Sequence, residues 1–258
     1  MGSWRTHYAF PLPGSTEAMI VFPMAGTGAR FRDAGYAEAK YSLPLGRSTI
    51  FENVVAGFAS RFDCETFLFV SRPGVGANEF VTNACSRLGV IDAMVVELPA
   101  GTRGQAETVA RGVDRVGISG DEPLMIFNID TVRTASIPVP VGGDRYAGLV
   151  EVFPAAGDHW SFVDPHPDGL HVLRTTEKRR ISDLCCTGLY AFASVSLFLE
   201  ALRAEELEGR WEKELYVAPL YNHLIRQGLQ VEYSSVEACD IVCAGTPLEY
   251  EAARTRFI

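Results

Sequence analysis

Residues 19–31 read MIVFPMAGTGARF, and this stretch decides how the rest of the chain is interpreted. Its first seven residues form an apolar run that predicts a buried strand. GTGARF follows at once, with two glycines and Arg30, and Lys40 comes shortly afterwards. Glycines let backbone N–H groups turn toward one point and approach a ligand closely, as a phosphate-binding loop requires. The stretch therefore predicts a strand that leads into a loop for the phosphates of a nucleotide.

Two well-known phosphate loops do not fit this spacing. A P-loop ends in GK[ST], and a dinucleotide-binding loop needs GxGxxG running directly into a helix, with an acid about 20 residues later. Neither pattern is present. Taken alone, Gly26 and Gly28 could equally form an ordinary turn, so the interpretation depends on the remainder of the chain.

Strand and helix patterns alternate along the first half of the chain, which indicates βαβ units and a mostly parallel sheet. Such sheets bind ligands at the carboxyl ends of their strands. After the first apolar run, strands are predicted at 66–71, 93–98 and 124–130, and helices at 49–62, 77–89 and 104–116.

The second half has more strands and fewer helices between them. Strands are predicted at 145–153, 169–177 and 186–194, a strand pair at 229–243, and helices at 196–209, 214–228 and 247–257. We predict an α/β fold with a Rossmann-like, mostly parallel (mixed) central sheet flanked by helices, and a smaller β-rich lobe. Residues 1–18 are interpreted as an N-terminal extension and residues 19–258 as one domain.

The charge of the chain argues against broad binding to nucleic acids or anionic membranes. Its 258 residues carry a formal net charge of −9, which polyphosphates and anionic lipid surfaces repel. No apolar run reaches the roughly 18 residues that suggest a membrane span. Any anion that the protein binds must therefore be met by a few well-placed cations.

Six cysteines lie in apolar surroundings without a CxxC pair, and the N-terminus lacks the apolar core of a signal peptide. These features indicate a cytoplasmic protein with reduced thiols. Cys239 and Cys243 have no matching Cys or His pair, so we interpret them as buried apolar cysteines rather than as metal ligands.

Five further motifs carry a family resemblance. GTRGQAETV at 101–109, FNID at 127–130, TTEKRRISDLCCTGLYAF at 175–192, ELYVAPLYNHLI at 214–225 and AGTPLEYEAA at 244–253 follow the glycine loop in order. Together with FPMAGTGARF and the later Lys40, they resemble the motifs of the sugar-phosphate nucleotidyltransferase family over roughly residues 19–255. An ordered series of motifs is far more specific than a lone glycine loop.

The resemblance implies a nucleotide-binding half at 19–140 and an acceptor-binding half at 141–258. The triphosphate would bind to the loop glycines and to the cations Arg30 and Lys40, Mg²⁺ to Asp130, and the nucleobase to the start of the 104–116 helix. A phosphorylated acceptor would bind near the EK pair, with Lys178 on its phosphate. The implied residues are Arg30, Lys40, Asp130 and Lys178 for catalysis, Ala25, Gly26, Gly28, Gly104 and Gln105 for the nucleotide, and Glu177, Lys178 and Gly188 for the acceptor.

Two residues depart from the family pattern. Ala39 stands where the family usually has a proline, which bears on the rigidity of the loop before Lys40. Cys243 stands where many members have a second aspartate for magnesium, and a thiol is a poor ligand for this hard cation. We therefore expect a single protein carboxylate to bind the metal firmly. Glu107 and Asp240 are the alternative candidates for a second carboxylate ligand.

The expected reaction is transfer of a nucleotidyl group from a nucleoside triphosphate to a small phosphorylated acceptor, for surface polysaccharide synthesis. CTP is slightly favoured, because the 214–225 helix resembles capsule-locus members, one type of which activates phosphoglutamine with CTP. A homo-oligomer is possible. Two alternatives stay open. The first is a glycosyltransferase of similar build that uses a nucleotide sugar, although NID followed by Thr131 lacks the second acid of a DxD motif. The second is a non-catalytic nucleotide-sensing subunit.

Overall fold

The structure, a computed structural model, describes residues 18–137, 146–209 and 214–257. The expected N-terminal extension, apart from Ala18, and the expected boundary between the halves at 140/141 lie outside these ranges. No helix within them is long and apolar enough to span a membrane.

The first half alternates strands and helices as predicted. Its strands β1 to β6 are Met19–Met24, Pro44–Leu45, Ser48–Thr49, Thr66–Ser71, Ala93–Glu97 and Leu124–Phe127, and its helices α1 to α4 are Ala29–Asp33, Ile50–Ala56, Ala77–Leu88 and Gln105–Arg115. Single 3-10 turns at Lys40–Ser42 and Ala59–Arg61 complete this part.

The second half is richer in strands. Its strands β7 to β13 are Thr131–Arg133, Gly148–Pro154, Ser161–Pro165, Val172–Glu177, Leu184–Phe192, Val231–Ser235 and Ile241–Cys243, and its helices α5 to α7 are Val195–Glu208, Tyr221–Arg226 and Pro247–Arg256. Further 3-10 turns lie at Ala218–Leu220 and Ala238–Asp240.

One large mixed sheet joins the two halves. It runs in the order β10-β9-β11-β6-β1-β4-β5, and β8 joins it by pairing with β11 and β12. β6, β1, β4 and β5 are parallel, whereas β11 pairs antiparallel with β6 and with β8. The predicted fold class is therefore confirmed: a central, mixed sheet of Rossmann-like type, with the β-rich part of the chain extending that sheet.

Helices cover both faces of the sheet because the side chains of β1 alternate. Ile20 and Phe22 pack into a core that also includes residues of α2 and α3. Met19 and Val21 pack into a second core, with residues of α4 and α5. β1 is thus buried on both sides, which is typical of a central parallel strand.

Several predicted elements differ in extent; for example, the helix predicted at 49–62 ends at Ala56. The helix predicted at 214–228 begins only with the 3-10 turn at 218, because Leu215 bonds instead to the loop before α4: its N–H donates to Arg103 O and its carbonyl accepts from Ala106 N. The strand predicted at 124–130 ends at Phe127, and the following residues turn toward β7.

Three further predictions about the second half were wrong. The strands near 229–243 do not pair with each other, since β12 pairs with β8 and β13 with β7. β9 was missed because its five residues end in the proline of a turn-rich segment. Cys239 is exposed, because it lies in a 3-10 turn between two strands rather than in a core.

A buried ion pair connects β7, which forms a separate two-stranded sheet with β13, to the large sheet. Arg133 on β7 pairs with Glu151 on β8, and their side chains are 3% and 2% exposed. The Thr187 hydroxyl on β11 donates a hydrogen bond to the Glu151 carboxylate, with 2.9 Å between Thr187 Oγ1 and Glu151 Oε1. Because β7 directly follows Asp130, this pair holds the strand that begins immediately after the predicted metal residue.

We expect Arg133→Met to lower the free energy of unfolding by about 3–5 kcal/mol, because it leaves the buried Glu151 carboxylate without its counter-ion. Arg174→Met is the matched control. It breaks an exposed pair with Asp164 and should cost at most about 1 kcal/mol. Urea denaturation measures both effects, and equal losses for the two variants would contradict the buried role.

Candidate active site

Three hollows meet at the carboxyl edge of the sheet. The central hollow, of about 560 Å³, lies between the glycine loop and the start of α4. The Tyr41 hollow, of about 550 Å³, lies on the other side of the glycine loop, against the loop that follows β4. The Trp160 hollow, of about 240 Å³, lies between β9, β11 and the start of α7. The two larger volumes are those of small-molecule sites.

Most of the predicted site residues line these hollows. The central hollow is lined by Ala25, Gly26, Lys40, Gly104, Gln105 and Asp130. Gly26, Gly28 and Lys40 also line the Tyr41 hollow, and Arg30, Gln105, Asp130 and Glu177 line the Trp160 hollow. Residues that are distant in the sequence are thus brought together, and their individual roles stay predictions.

An ion pair stands where the hollows meet. Lys40 donates from its ammonium group to Asp130 Oδ2, and the two side chains are 26% and 21% exposed. Lys40 begins the 3-10 turn after the glycine loop, and Asp130 follows β6, the neighbour of β1. Lys40 lines the central and Tyr41 hollows, whereas Asp130 lines the central and Trp160 hollows.

The glycine loop has the shape that its sequence predicts, for two different reasons. Gly28 has a φ of 65°, a left-handed conformation that glycine adopts without steric cost. Gly26 needs no such freedom, but nothing lies within 4 Å of where its side chain would stand, so its place is open to a ligand. Ala39 has a φ of −64° and a ψ of 137°, a backbone conformation that a proline would also adopt.

Arg30 lies on α1 with its side chain exposed. Within the described parts of the chain it forms no ion pair and donates no hydrogen bond, so its charge is available to a ligand. It lines the Trp160 hollow, on the side of the predicted acceptor.

The start of α4 is held by close backbone contacts. A side chain on Gly104 would stand 2.5 Å from Leu215 N, so only glycine lets the 214–216 segment approach. Gln105 donates to Asn128 Oδ1, and both side chains face the central hollow. Tyr216 lines the central and the Trp160 hollow, and sequence analysis missed it because the segment read as a helix.

Of the three predicted acceptor residues, Glu177 lines the Trp160 hollow, whereas Lys178 and Gly188 are not among its lining residues. Glu177 accepts a hydrogen bond from Ser161, and burial raises the pKa of its carboxyl. Lys178, half exposed, donates to the Tyr216 hydroxyl. Gly188 lies behind the hollow, because a side chain there would stand 2.3 Å from the Asn128 amide. Its predicted contact with the acceptor stays a prediction.

Lys178 has a strained backbone. Its φ of 51° makes it the one residue other than glycine with a positive φ in the described ranges. Such conformations cost free energy and collect at functional sites. No sequence pattern around Lys178 predicts this backbone conformation.

The surroundings of Asp130 fit a hard cation. Gly245 has no side chain, and a Cβ there would stand 3.1 Å from Asp130 Oδ2 and 3.5 Å from Glu249 Oε2. The backbone therefore leaves space beside two carboxylates, which are the ligands that Mg²⁺ prefers. Glu249 was missed because its position reads as the cap of α7, where it does accept from Thr246 N.

Cys243 is no substitute for the usual aspartate. Burial, followed by the nearby charges of Glu249 and Asp130, raises the pKa of its thiol to about 12, so it stays protonated. The two reserves lie elsewhere: Glu107 binds Arg103 and Arg111, and Asp240 accepts from Thr134. Asp130 is thus the carboxylate that the site offers most directly to a metal.

The chain is strongly similar to a solved structure. Neither a family model nor a curated protein matches the chain. A solved structure, a nucleoside-diphosphate-sugar pyrophosphorylase from Vibrio cholerae RC9, is 39% identical, with a TM-score of 0.85. The match covers 92% of this chain and 100% of that protein.

More distant structures share the fold alone. An inositol-1-phosphate CTP transferase from T. maritima is 12% identical, with a TM-score of 0.70, over 95% of this chain and 98% of that one. A UDP-glucose pyrophosphorylase from Acinetobacter baumannii is 16% identical, with a TM-score of 0.68, over 94% and 93%.

Glu177 gives a pH-dependent prediction. Burial raises the pKa of its carboxyl in the folded protein. Above that pKa the buried, ionised carboxylate lowers the free energy of unfolding, and this destabilisation disappears as the pH falls and the carboxyl becomes protonated. Glu177→Gln should therefore be more stable than the wild type at pH 7, and the difference should shrink on acidification. Thermal melts from pH 7 to pH 4 test this. The exposed Glu237→Gln is the control, and an identical profile for both variants would contradict the prediction.

Proposed function

This chain belongs to the sugar-phosphate nucleotidyltransferase family, and from this premise we propose that it joins a nucleoside triphosphate to a small phosphorylated acceptor. It is an enzyme of the nucleotidyltransferase type. The proposed products are a nucleoside-diphosphate-linked compound and pyrophosphate. The relative from Vibrio cholerae is a nucleoside-diphosphate-sugar pyrophosphorylase, which supports a sugar phosphate as the acceptor.

The observation that carries this proposal is the sharing of Asp130 and Gln105 between two hollows. A nucleotide in the central hollow and an acceptor in the Trp160 hollow would meet beside Asp130. The smaller volume of the Trp160 hollow suits a compact acceptor. Bringing two reactants into contact in this way is a major source of rate enhancement.

The chemistry requires two anions to react. An oxygen of the acceptor phosphate attacks the α-phosphorus of the triphosphate, and the bond from that phosphorus to the bridging oxygen breaks. Lys40 would reduce the repulsion on the triphosphate. Arg30, which was predicted to bind the triphosphate as well, lines the Trp160 hollow and would act on the side of the acceptor. Arginine suits bidentate contact with a phosphate, and lysine acts as a compact charge.

Asp130 is the residue that would hold Mg²⁺, with Glu249 beside it. The bound metal would add positive charge next to the phosphates. Lys40, which now pairs with Asp130, would then be free to contact a phosphate. Gln105 and Asn128 offer amide groups to a nucleobase, and Glu177 offers hydrogen-bond acceptors to an acceptor's hydroxyl or amide groups.

CTP is our first choice of nucleotide, and we assign the product to surface polysaccharide assembly in the cytoplasm. Both choices rest on the resemblance of the sequence to capsule-locus members of the family. Pyrophosphate release measured with CTP, UTP, dTTP, GTP and ATP, against a panel of acceptor phosphates in Mg²⁺, tests the function. Release with none of them would refute it.

Asp130→Asn should reduce the rate of pyrophosphate release by about one hundred-fold or more, because it removes the negative charge that holds the metal. The exposed Asp114→Asn on α4, at a position that lines none of the three hollows, is the matched control and should keep the wild-type rate. A wild-type rate for Asp130→Asn would remove this residue from the mechanism.

Lys178→Asn should separate function from folding. Asparagine tolerates a positive φ better than lysine. The free energy of unfolding of the variant should therefore equal that of the wild type or exceed it by up to about 1 kcal/mol. Its turnover should fall about tenfold or more, because the acceptor phosphate loses a cation. Thermal melts and the release assay give the two readings, with the exposed Arg179→Asn as control. A fall in stability with unchanged turnover would contradict the assignment.

A further inference from the structure

Tyr216 lies at the boundary between the nucleotide and acceptor sides of the site. Its side chain is partly exposed and lines both the central and the Trp160 hollow. The neighbouring Leu215 fixes it there, because the Leu215 N–H donates to Arg103 O and the Leu215 carbonyl accepts from Ala106 N. Tyr216 is therefore anchored to the start of α4, on the side of the predicted nucleobase.

The backbone of Lys178 turns its side chain toward Tyr216. Glu177 is the last residue of β10 and lines the Trp160 hollow. In an extended strand the next side chain would point to the opposite face. The φ of 51° at Lys178 breaks this alternation, and the Lys178 ammonium lies 3.8 Å from Glu177 Oε1 and donates to the Tyr216 hydroxyl. The strained conformation thus brings a cation to within one hydrogen bond of a residue that lines both hollows.

The direction of the Lys178 side chain depends on Tyr216. Two contacts hold the turn itself: the Lys178 N–H donates to Trp160 O over 2.9 Å, and the Thr176 hydroxyl donates to Arg179 O over 2.6 Å. Neither contact involves the lysine side chain. Within residues 18–137, 146–209 and 214–257, the Tyr216 hydroxyl is the one hydrogen-bond acceptor of the ammonium.

A second cation lies within electrostatic reach of the Tyr216 hydroxyl. Burial, followed by a hydrogen bond to Glu214, raises the pKa of this hydroxyl, so it stays protonated at neutral pH. The charge of Arg30 acts on the pKa in the opposite direction, and Arg30 lines the Trp160 hollow as Tyr216 does. A phosphate bound beside Tyr216 would therefore be attracted by both Arg30 and Lys178.

We propose that Tyr216 positions Lys178 for the phosphate of the acceptor, because its hydroxyl holds the ammonium at the boundary of the central and Trp160 hollows. The inference rests on the proposed function. The attacking phosphate oxygen has to be held at this boundary, since the nucleotide and the acceptor meet there. Lysine has a flexible stem, and a fixed hydrogen-bond partner reduces the conformational entropy that the side chain loses when the phosphate binds.

Tyr216→Phe tests the inference, because it keeps the ring and removes the hydroxyl. With the triphosphate and the acceptor that release pyrophosphate, the KM for the acceptor should rise about three- to tenfold. The KM for the triphosphate should change by less than about twofold, since the ring still lines the central hollow. Equal changes in both KM values, or no change in either, would overturn the inference.

A double-mutant cycle shows whether Tyr216 acts through Lys178. In the Lys178→Asn background, Tyr216→Phe should leave the KM for the acceptor unchanged, because the ammonium that the hydroxyl positions is absent. The full rise in that background would show that Tyr216 acts without Lys178, which overturns the inference. Tyr233→Phe on β12, at a position that lines none of the three hollows, is the matched control and should behave like the wild type.

Inorganic phosphate gives a reading that needs no turnover. The sequence has few lysines, Lys40, Lys178 and Lys213, so the Lys178 signal of the full chain labelled with carbon-13 at lysine can be assigned by comparison with Lys178→Asn. In a nuclear magnetic resonance titration with inorganic phosphate, this signal should shift. The affinity for phosphate should fall about threefold or more in Tyr216→Phe.

The phosphate titration separates failure of the inference from failure of the proposed function. No shift of the Lys178 signal in the wild type, or equal phosphate affinity in the wild type and Tyr216→Phe, overturns the inference whether or not the chain turns over. If the shift and the loss of affinity are observed but no triphosphate releases pyrophosphate, the Tyr216-dependent phosphate site stands and the proposed function fails.

Discussion

The ion pair between Lys40 and Asp130 is the interaction on which the site depends. It connects the loop after β1 with the end of β6, and it stands where three hollows meet. Each side chain keeps about a quarter of its surface in contact with solvent, at 26% and 21%, so the pair is not sealed in the protein. Partly exposed pairs add little to stability, and each partner can exchange the other for a ligand. A phosphate and a cation can therefore replace the two halves of the pair at small cost to the fold.

The sheet explains why these two residues meet. β1 and β6 are parallel neighbours, so their carboxyl ends lie at the same edge and deliver the glycine loop and Asp130 to one place. Gly188 then lets the backbone approach Asn128 more closely than any side chain would permit, and Gly245 leaves open the space beside Asp130. The shape of the site thus comes from strand order and from a few positions without a Cβ, before any charged group is considered.

The sequence predicted the parts of the fold that depend on local patterns. β1, β4, α3 and α4 have strong apolar periods and were located within one or two residues. Motif order also predicted that Gly26, Lys40, Gln105 and Asp130 would lie together, although it could not assign each to a hollow. The failures have another cause. Leu215 is kept out of a helix by hydrogen bonds to residues more than a hundred positions away, and no local pattern contains that information.

The same limit applies to the site residues that were missed. Arg72, Tyr216 and Trp160 lie on loops or at strand ends, and they face the hollows only because distant elements place them there. The sequence around Glu249 is explained by its role in the cap of α7, so no sequence pattern indicated that its carboxylate would lie near Asp130. Family motifs mark the positions that many members share, whereas these residues belong to the particular shape of this chain.

The antiparallel pairing of β11 with β6 has a consequence for substrate choice. Because these strands are hydrogen-bonded neighbours, the segments that carry Asn128 and Thr187 are held side by side at the fixed spacing between strands, about 4.8 Å, rather than by a hinge. The wall shared by the central and Trp160 hollows is therefore part of the sheet itself. Under the proposed function, side chains on the outer strands β9 and β10 can be replaced without altering this spacing.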